Sequence, residues 1–238
     1  MEITAHRGAS AYAPENSFAA VKTAIELEVD CIELDLQETA DGKIILLHDP
    51  TFLRTGNINR NVWDVTYNEA KTFDIGSWFS EEFSKEYPPL LTDILDLIGG
   101  KCKINLELKY NGRNKHLPVK VADFISDLNL EDQCIVTSFN LSFVNRIKEN
   151  SPKITTGFIS SLPYRPSVWL TRHPILSLNK ISSRKVIVSS LQKLGKKVHI
   201  WTPDKEKDII SAIDSGADNI ISNRPDVVKQ IAASRIKE

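Results

Sequence analysis

Residues 31–49 read CIELDLQETADGKIILLHD. Cys31–Leu36 alternates apolar and acidic residues, the period-two pattern of a strand, so Glu33 and Asp35 share one face. Asp41-Gly42 lies between two apolar runs and signals a two-residue hairpin. Folding the chain about it sets Asp35 opposite His48 on a second strand, Ile44–His48. Two carboxylates so close demand a cation or a raised pKa. A strand returning through a tight turn is antiparallel to its predecessor and cannot continue a parallel β-α-β series.

Strand-like runs recur on either side of this hairpin, at Ile3–Ala5, Lys103–Lys109, Cys134–Phe139, Thr155–Ser160, Ile175–Asn179, Val198–Thr202 and Asn219–Ser222. Amphipathic helical patterns lie between most of them. Ser17–Glu28 places Phe18, Val21 and Ile25 on one stripe, and similar patterns occupy Val119–Leu128, Ser142–Glu149, Ser183–Leu194, Lys205–Ser215 and Asp226–Ser234. Leu194-Gly195 and Ser215-Gly216 each place a helix-ending glycine shortly before a strand. Strand alternating with helix implies parallel pairing. Ile44–His48 is the exception and reads as the start of an insertion over about residues 41–87, a region rich in aromatics and turns. Eight strand-helix units remain. They predict one domain over 1–238, an α/β (β/α)8 TIM-type barrel with a small insertion after the second strand.

The 30 basic and 31 acidic residues balance to a net charge of −1, which gives no polyanion-binding signature and argues against a nucleic-acid partner. No run approaches the roughly 18 apolar residues of a membrane span, and no signal segment precedes Ile3, so a cytoplasmic chain with no transmembrane segment is expected. Cys31, Cys102 and Cys134 each sit at the start of an apolar strand-like run without C-x-x-C spacing, which predicts buried reduced thiols. No G-x-G-x-x-G or G-K-[ST] loop follows a strand, against a dinucleotide or Walker site.

Barrel enzymes build their sites at the C-terminal ends of the strands. There this chain carries His6-Arg7-Gly8, then Glu33 and Asp35, then Glu107 and Lys109, and late in the sequence Trp201-Thr202. Three carboxylates suit a hard divalent cation, Ca²⁺ or Mg²⁺, better than zinc. Arg7 and Lys109 offer charge to an anionic small molecule, with arginine suited to gripping phosphate. His6 and His48 supply an acid and a base near neutral pH. Together these groups describe phosphodiester cleavage. Trp201 suits either the core or contact with a glycerol or headgroup. His116, His173 and His199 have no such partners and read as structural or surface groups. Phe73–Phe79 suits either the core of the insertion or a lip for substrate, and core is the preferred reading.

HRG at 6–8, PEN at 14–16, ELD at 33–35, HD at 48–49, FDIGSWF at 73–79, ELK at 107–109, SF at 138–139 and WT at 201–202 fall in order along almost the whole chain. In this the sequence resembles the glycerophosphodiester phosphodiesterases. The resemblance implies a (β/α)8 barrel with an insertion, one divalent cation, and hydrolysis of a glycerophosphodiester to glycerol 3-phosphate and an alcohol. By position it makes Glu33, Asp35 and Glu107 the metal ligands, His6 and His48 the acid-base pair, and Arg7 and Lys109 the phosphate holders. Glu15 and Asn16 would support the first loop, with Glu15 in reach of substrate. The family pattern WTVN becomes Trp201-Thr202-Pro203-Asp204 here, and a frequent TD becomes Ser222-Asn223. Both departures fall on late loops expected to surround the leaving group. A lysophospholipase D would use the same chemistry but needs an apolar groove or membrane-docking surface, and no basic amphipathic helix is evident. A non-catalytic glycerophosphodiester-binding protein would be expected to lack a histidine or a ligand, and none is missing.

Overall fold

The computed structural model describes residues 1–235. Its elements run β1 (Glu2–His6), α1 (Phe18–Glu26), β2 (Cys31–Glu38), β3 (Ile44–Leu46), α2 (Leu53–Gly56), α3 (Tyr67–Ala70), α4 (Leu91–Ile98), β4 (Lys103–Leu108), α5 (Leu117–Asp127), β5 (Cys134–Ser138), α6 (Leu141–Asn150), β6 (Thr155–Ser160), α7 (Pro166–Leu170), β7 (Ile175–Asn179), α8 (Lys185–Lys193), β8 (Lys197–Trp201), α9 (Glu206–Asp214), β9 (Asn219–Ser222) and α10 (Pro225–Arg235). Strands β1, β2 and β4 to β9 pair in parallel in that order, and β9 returns to β1, closing an eight-stranded TIM barrel. The ninth strand, β3, is antiparallel to β2, and its other edge makes an isolated bridge from Ile45 to Leu90.

Alternation along each barrel strand separates two environments. Ile32, Leu34 and Leu36 on β2 and Ile104, Leu106 and Leu108 on β4 are fully buried in the layer under the helices. The intervening residues point into the barrel, where Thr4 donates to Asn219 and Thr137 donates to Asn105, both at 2.9 Å. Polar groups buried there are stable because they are paired.

β2 is eight residues long because it has two successive partners. Its first half pairs with β1 up to His6 opposite Glu33. The chain then leaves the sheet through Arg7 (φ 57°) and Gly8 (φ 79°), which frees the rest of that β2 edge, and β3 takes it. A side chain at Gly8 would stand 2.7 Å from the backbone of Ala20 on α1, so this exit requires glycine both for its dihedral and for its closeness to the helix.

The hairpin register differs from the expected one by a residue. Leu36 pairs with Leu46, and Leu47 donates to the Asp35 carbonyl, so Asp35 faces Leu47 and not His48. The turn has three residues, Ala40-Asp41-Gly42, with Gly42 in the left-handed region (φ 77°). Thr39 closes it by exchanging backbone and hydroxyl bonds with Lys43 and Asp41. β3 ends at Leu46 and residues 48–50 bend, so His48 reaches the barrel mouth from a loop.

Four helices were not anticipated, of which α2 and α3 have only four residues each. α4 is a short apolar helix that follows Pro88-Pro89 and buries Leu91, Ile94 and Ile98. α7 has five residues and starts at a proline. The segment between β3 and α4 holds a small core of its own around Phe52, Val62 and Val65, with the Phe52 and Phe73 rings edge to face at 5.0 Å. Phe73 and Ile75 pack inward while Trp78 is exposed. Glu86 ties the segment to the barrel by accepting from Phe18 and Ala19 at the start of α1. All three cysteines are free; Cys31 and Cys134 are buried as expected, whereas Cys102, just ahead of β4, is partly exposed.

Candidate active site

β1, β2 and β4 are neighbours, and their C-terminal ends bring Glu33, Asp35 and Glu107 together. One oxygen from each lies within 4.8 Å of the others, and all three residues are buried. Burial, then repulsion from Asp35 and Glu107, pushes the Glu33 carboxyl well above the usual range. Burial likewise raises Glu107, to about 7. Burial works against Asp35 too, yet Lys109 and Arg7 hold its carboxyl well below the usual range. Glu33 Oε1 and Asp35 Oδ1 are buried without a hydrogen-bond partner. A carboxylate oxygen such as Glu33 Oε1, buried with neither a hydrogen bond nor an ion pair, is costly in such a site, and an oxygen-only donor set of this charge fits a hard divalent cation.

Two cations flank the carboxylates. Lys109 Nζ lies 2.6 Å from Glu107 and 3.2 Å from Asp35. Arg7 Nε is 3.3 Å from Asp35, and its Nη1 is 2.9 Å from Glu15. Glu15 does not line the cavity. Both its oxygens are engaged by Arg7 and by Arg54 of α2, at 2.7–2.9 Å. Asn16 donates to Asp35 at 2.8 Å and fixes that carboxylate.

The histidines come from opposite sides. His6 ends β1, and its Nε2 is 3.9 Å from Glu33. Its Nδ1 meets Asn223 Oδ1 at 2.7 Å, and Asn223 Nδ2 in turn donates to Asp204 at 2.7 Å. Because the Asp204 carboxylate only accepts, the Asn223 amide is oriented, and His6 Nδ1 must carry the proton. Burial, with Arg7 adding to it, lowers His6 to about 4. His48 Nδ1 lies 2.6 Å from Asp49, so it too carries its proton there, and Arg54 Nε holds the other Asp49 oxygen at 2.7 Å. Burial lowers His48, against the pull of Asp35. Both rings thus keep Nε2 free of these partners.

A cavity of about 250 Å³ is lined by His6, Arg7, Glu33, His48, Glu107, Lys109 and Trp201. It adjoins a groove of about 830 Å³ that shares His48, Glu107, Lys109 and Phe139 and adds Trp63 and Tyr110. Trp201 stands edge-on to Phe139, with ring centres 5.6 Å apart. His116 precedes the first turn of α5, outside the cavity, while His173 and His199 are buried elsewhere. Arg54, Asp204 and Asn223 were not anticipated as site groups. Asp204 and Asn223 were the two departures assigned to leaving-group loops, and they instead stand behind His6. The exchange of a WTVN asparagine for Asp204 and a TD aspartate for Asn223 was the visible signal: the acid and the amide have traded places.

Known proteins resemble this chain in sequence and fold. Residues 6–227 match the glycerophosphoryl diester phosphodiesterase family. A glycerophosphodiester phosphodiesterase of Caldanaerobacter subterraneus is 34% identical over 235 residues, covering 95% of each chain. The crystal structure of glycerophosphodiester phosphodiesterase from Agrobacterium tumefaciens superimposes with a TM-score of 0.84 at 28% identity, over 96% of this chain and 98% of that one. An Oleispira antarctica phosphodiesterase, solved with the product sn-glycerol-3-phosphate, gives 0.87 at 25% identity, over 98% and 97%. The closed barrel, the clustered carboxylates and a match running from His6 nearly to the last helix place this chain in the glycerophosphoryl diester phosphodiesterase family.

Proposed function

We propose that the chain, a single unit over 1–238 with an insertion at about 41–87, is a cytoplasmic, metal-dependent phosphodiesterase. It hydrolyses small glycerophosphodiesters such as glycerophosphocholine or glycerophosphoethanolamine to glycerol 3-phosphate and an alcohol. The observation that carries this is the clustering of three carboxylates, two cations and two oriented imidazoles around one cavity, which all of them but Asp35 line. Glu33, Asp35 and Glu107 would hold a divalent ion, Ca²⁺ or Mg²⁺, which when bound supplies charge to neutralise the phosphate. Arg7 and Lys109 bind the remaining phosphate charge, and Glu15 and Arg54 keep Arg7 in place. Trp201 contacts the glycerol or headgroup.

The partners of the two rings support different roles for them. His6 has a neutral amide at Nδ1, which favours the neutral ring with a free Nε2 lone pair, the form of a base that takes a proton from the attacking oxygen. His48 has a carboxylate at Nδ1, which stabilises the imidazolium and suits an acid that protonates the leaving alkoxide. His48 also borders both the cavity and the groove, where the alcohol would leave. The test is glycerol 3-phosphate release from glycerophosphocholine. His6→Ala and His48→Ala should each lower kcat by roughly 10²- to 10⁴-fold, and wild-type rates in either variant would sink the mechanism. The aromatic-walled groove favours a second reading, a lysophospholipase D-type reaction, for which turnover of lysophosphatidylcholine is the discriminating assay.

A further inference from the structure

The near-zero net charge conceals a strong asymmetry. Residues 150–203 contain nine lysines and arginines and no aspartate or glutamate, which leaves 21 basic and all 31 acidic residues to the rest of the chain. Within this block lie β6, β7 and the loops that follow them, on the barrel end that carries the site. β5, β6 and β7 are adjacent in the barrel, so their three βα loops form one continuous arc of the rim.

That arc is tipped with large apolar side chains. Phe139 follows β5, Leu162 and Tyr164 follow β6, and Ile181 and Val186 follow β7, all exposed, Tyr164 at 73% and Val186 at 70%. Phe139 also lines the groove, so the arc runs outward from the site. Arg165, Arg184 and Lys185 stand among these tips, exposed and without an ion-pair partner among the described residues. The loop after β6 is held in shape, since the Trp169 indole donates to the Pro163 carbonyl at 2.8 Å.

We propose that this arc docks the barrel mouth onto the surface of an anionic lipid bilayer. Apolar tips interspersed with unpaired cations match the layered chemistry of a bilayer surface, anionic headgroups above an apolar interior. Phosphate contacts with a polynucleotide would use the cations but leave the aliphatic tips in water. The device is made of loop residues and the first turn of α8, which is why a search for a basic amphipathic helix does not find it. No helix among the described residues is long and apolar enough to cross a membrane, so the contact is peripheral. The inference stands whether or not the site hydrolyses phosphodiesters.

The test is cosedimentation of the full chain with vesicles of phosphatidylcholine alone or mixed with phosphatidylglycerol. Binding should require phosphatidylglycerol and weaken as NaCl is raised. At about fivefold per cation, Arg165→Ala with Lys185→Ala should weaken it about 25-fold. Tyr164→Ser with Val186→Ser should weaken it as well. Lys193→Ala with Lys197→Ala removes the same charge at the opposite end of the barrel and should leave most binding intact. Unchanged hydrolysis of a soluble diester by the rim variants would show that they are folded, and should hydrolysis be absent from every form, a thermal melt gives the same control. Failure to sediment with phosphatidylglycerol vesicles at low salt, equal loss in the rim and opposite-end variants, or binding to a polynucleotide but not to vesicles would each overturn the proposal.

Discussion

The carboxylates were legible as individual residues because a strand shows its face in its alternation. E-L-D and E-L-K announce Glu33, Asp35, Glu107 and Lys109 without any knowledge of the fold. The groups behind the histidines were not legible, since they meet only through closure of the barrel: Asn223 lies 217 residues from His6. Their geometry makes a prediction. Asn223→Asp sets a second carboxylate against Asp204 and disturbs the His6 ring, so kcat should fall about tenfold with little change in KM. Adding Asp204→Asn restores one acid and one amide and should recover most of the loss. Steady-state kinetics on the single and double variants check this, and a double variant no better than the single would show that the pair does not position His6.

At the scale of elements, the sequence indicated where strands and helices lie but not the hairpin register. An Asp-Gly pair signals a turn, yet the Thr39 bonds to Lys43 and Asp41 lengthen it to three residues, and a one-residue slip reverses every facing pair. α4 was lost among the prolines and aromatics that precede it. Two glycines should respond differently to replacement by alanine. At Gly42 the new methyl would meet the movable ends of Lys120 and Glu38 and no backbone, so Gly42→Ala should lower unfolding stability by about 1–2 kcal/mol through its positive φ. At Gly8 the obstacle is the Ala20 backbone on α1, and Gly8→Ala should cost more and also displace Arg7 from the cavity. Urea denaturation with a parallel activity assay separates them, and equal effects would contradict the hairpin and loop geometry described.

The barrel as a whole was legible from its repeat, because each strand-helix unit carries its own pattern, whereas the polar lining was not, because Thr4, Asn105 and Asn219 are satisfied only across strands. That interior also sets acid stability. His199 is 2% exposed, its Nδ1 has no partner, and burial lowers it to about 4. Its folded pKa lies below the unfolded value near 6.5, so the unfolded state binds more protons between the two. Stability from this group is full above about pH 6.5 and falls toward pH 4, by on the order of 3 kcal/mol. His199→Gln should flatten that slope in urea titrations between these limits, and an unchanged slope would remove His199 as its cause. The central claim is that Glu33, Asp35 and Glu107 hold the ion on which turnover depends, and it is tested most directly by following glycerol 3-phosphate release from glycerophosphocholine while Mg²⁺ or Ca²⁺ is added back to EDTA-treated protein. Activity should vanish with chelator and return as one ion per chain is bound, and full turnover in excess EDTA would contradict the account.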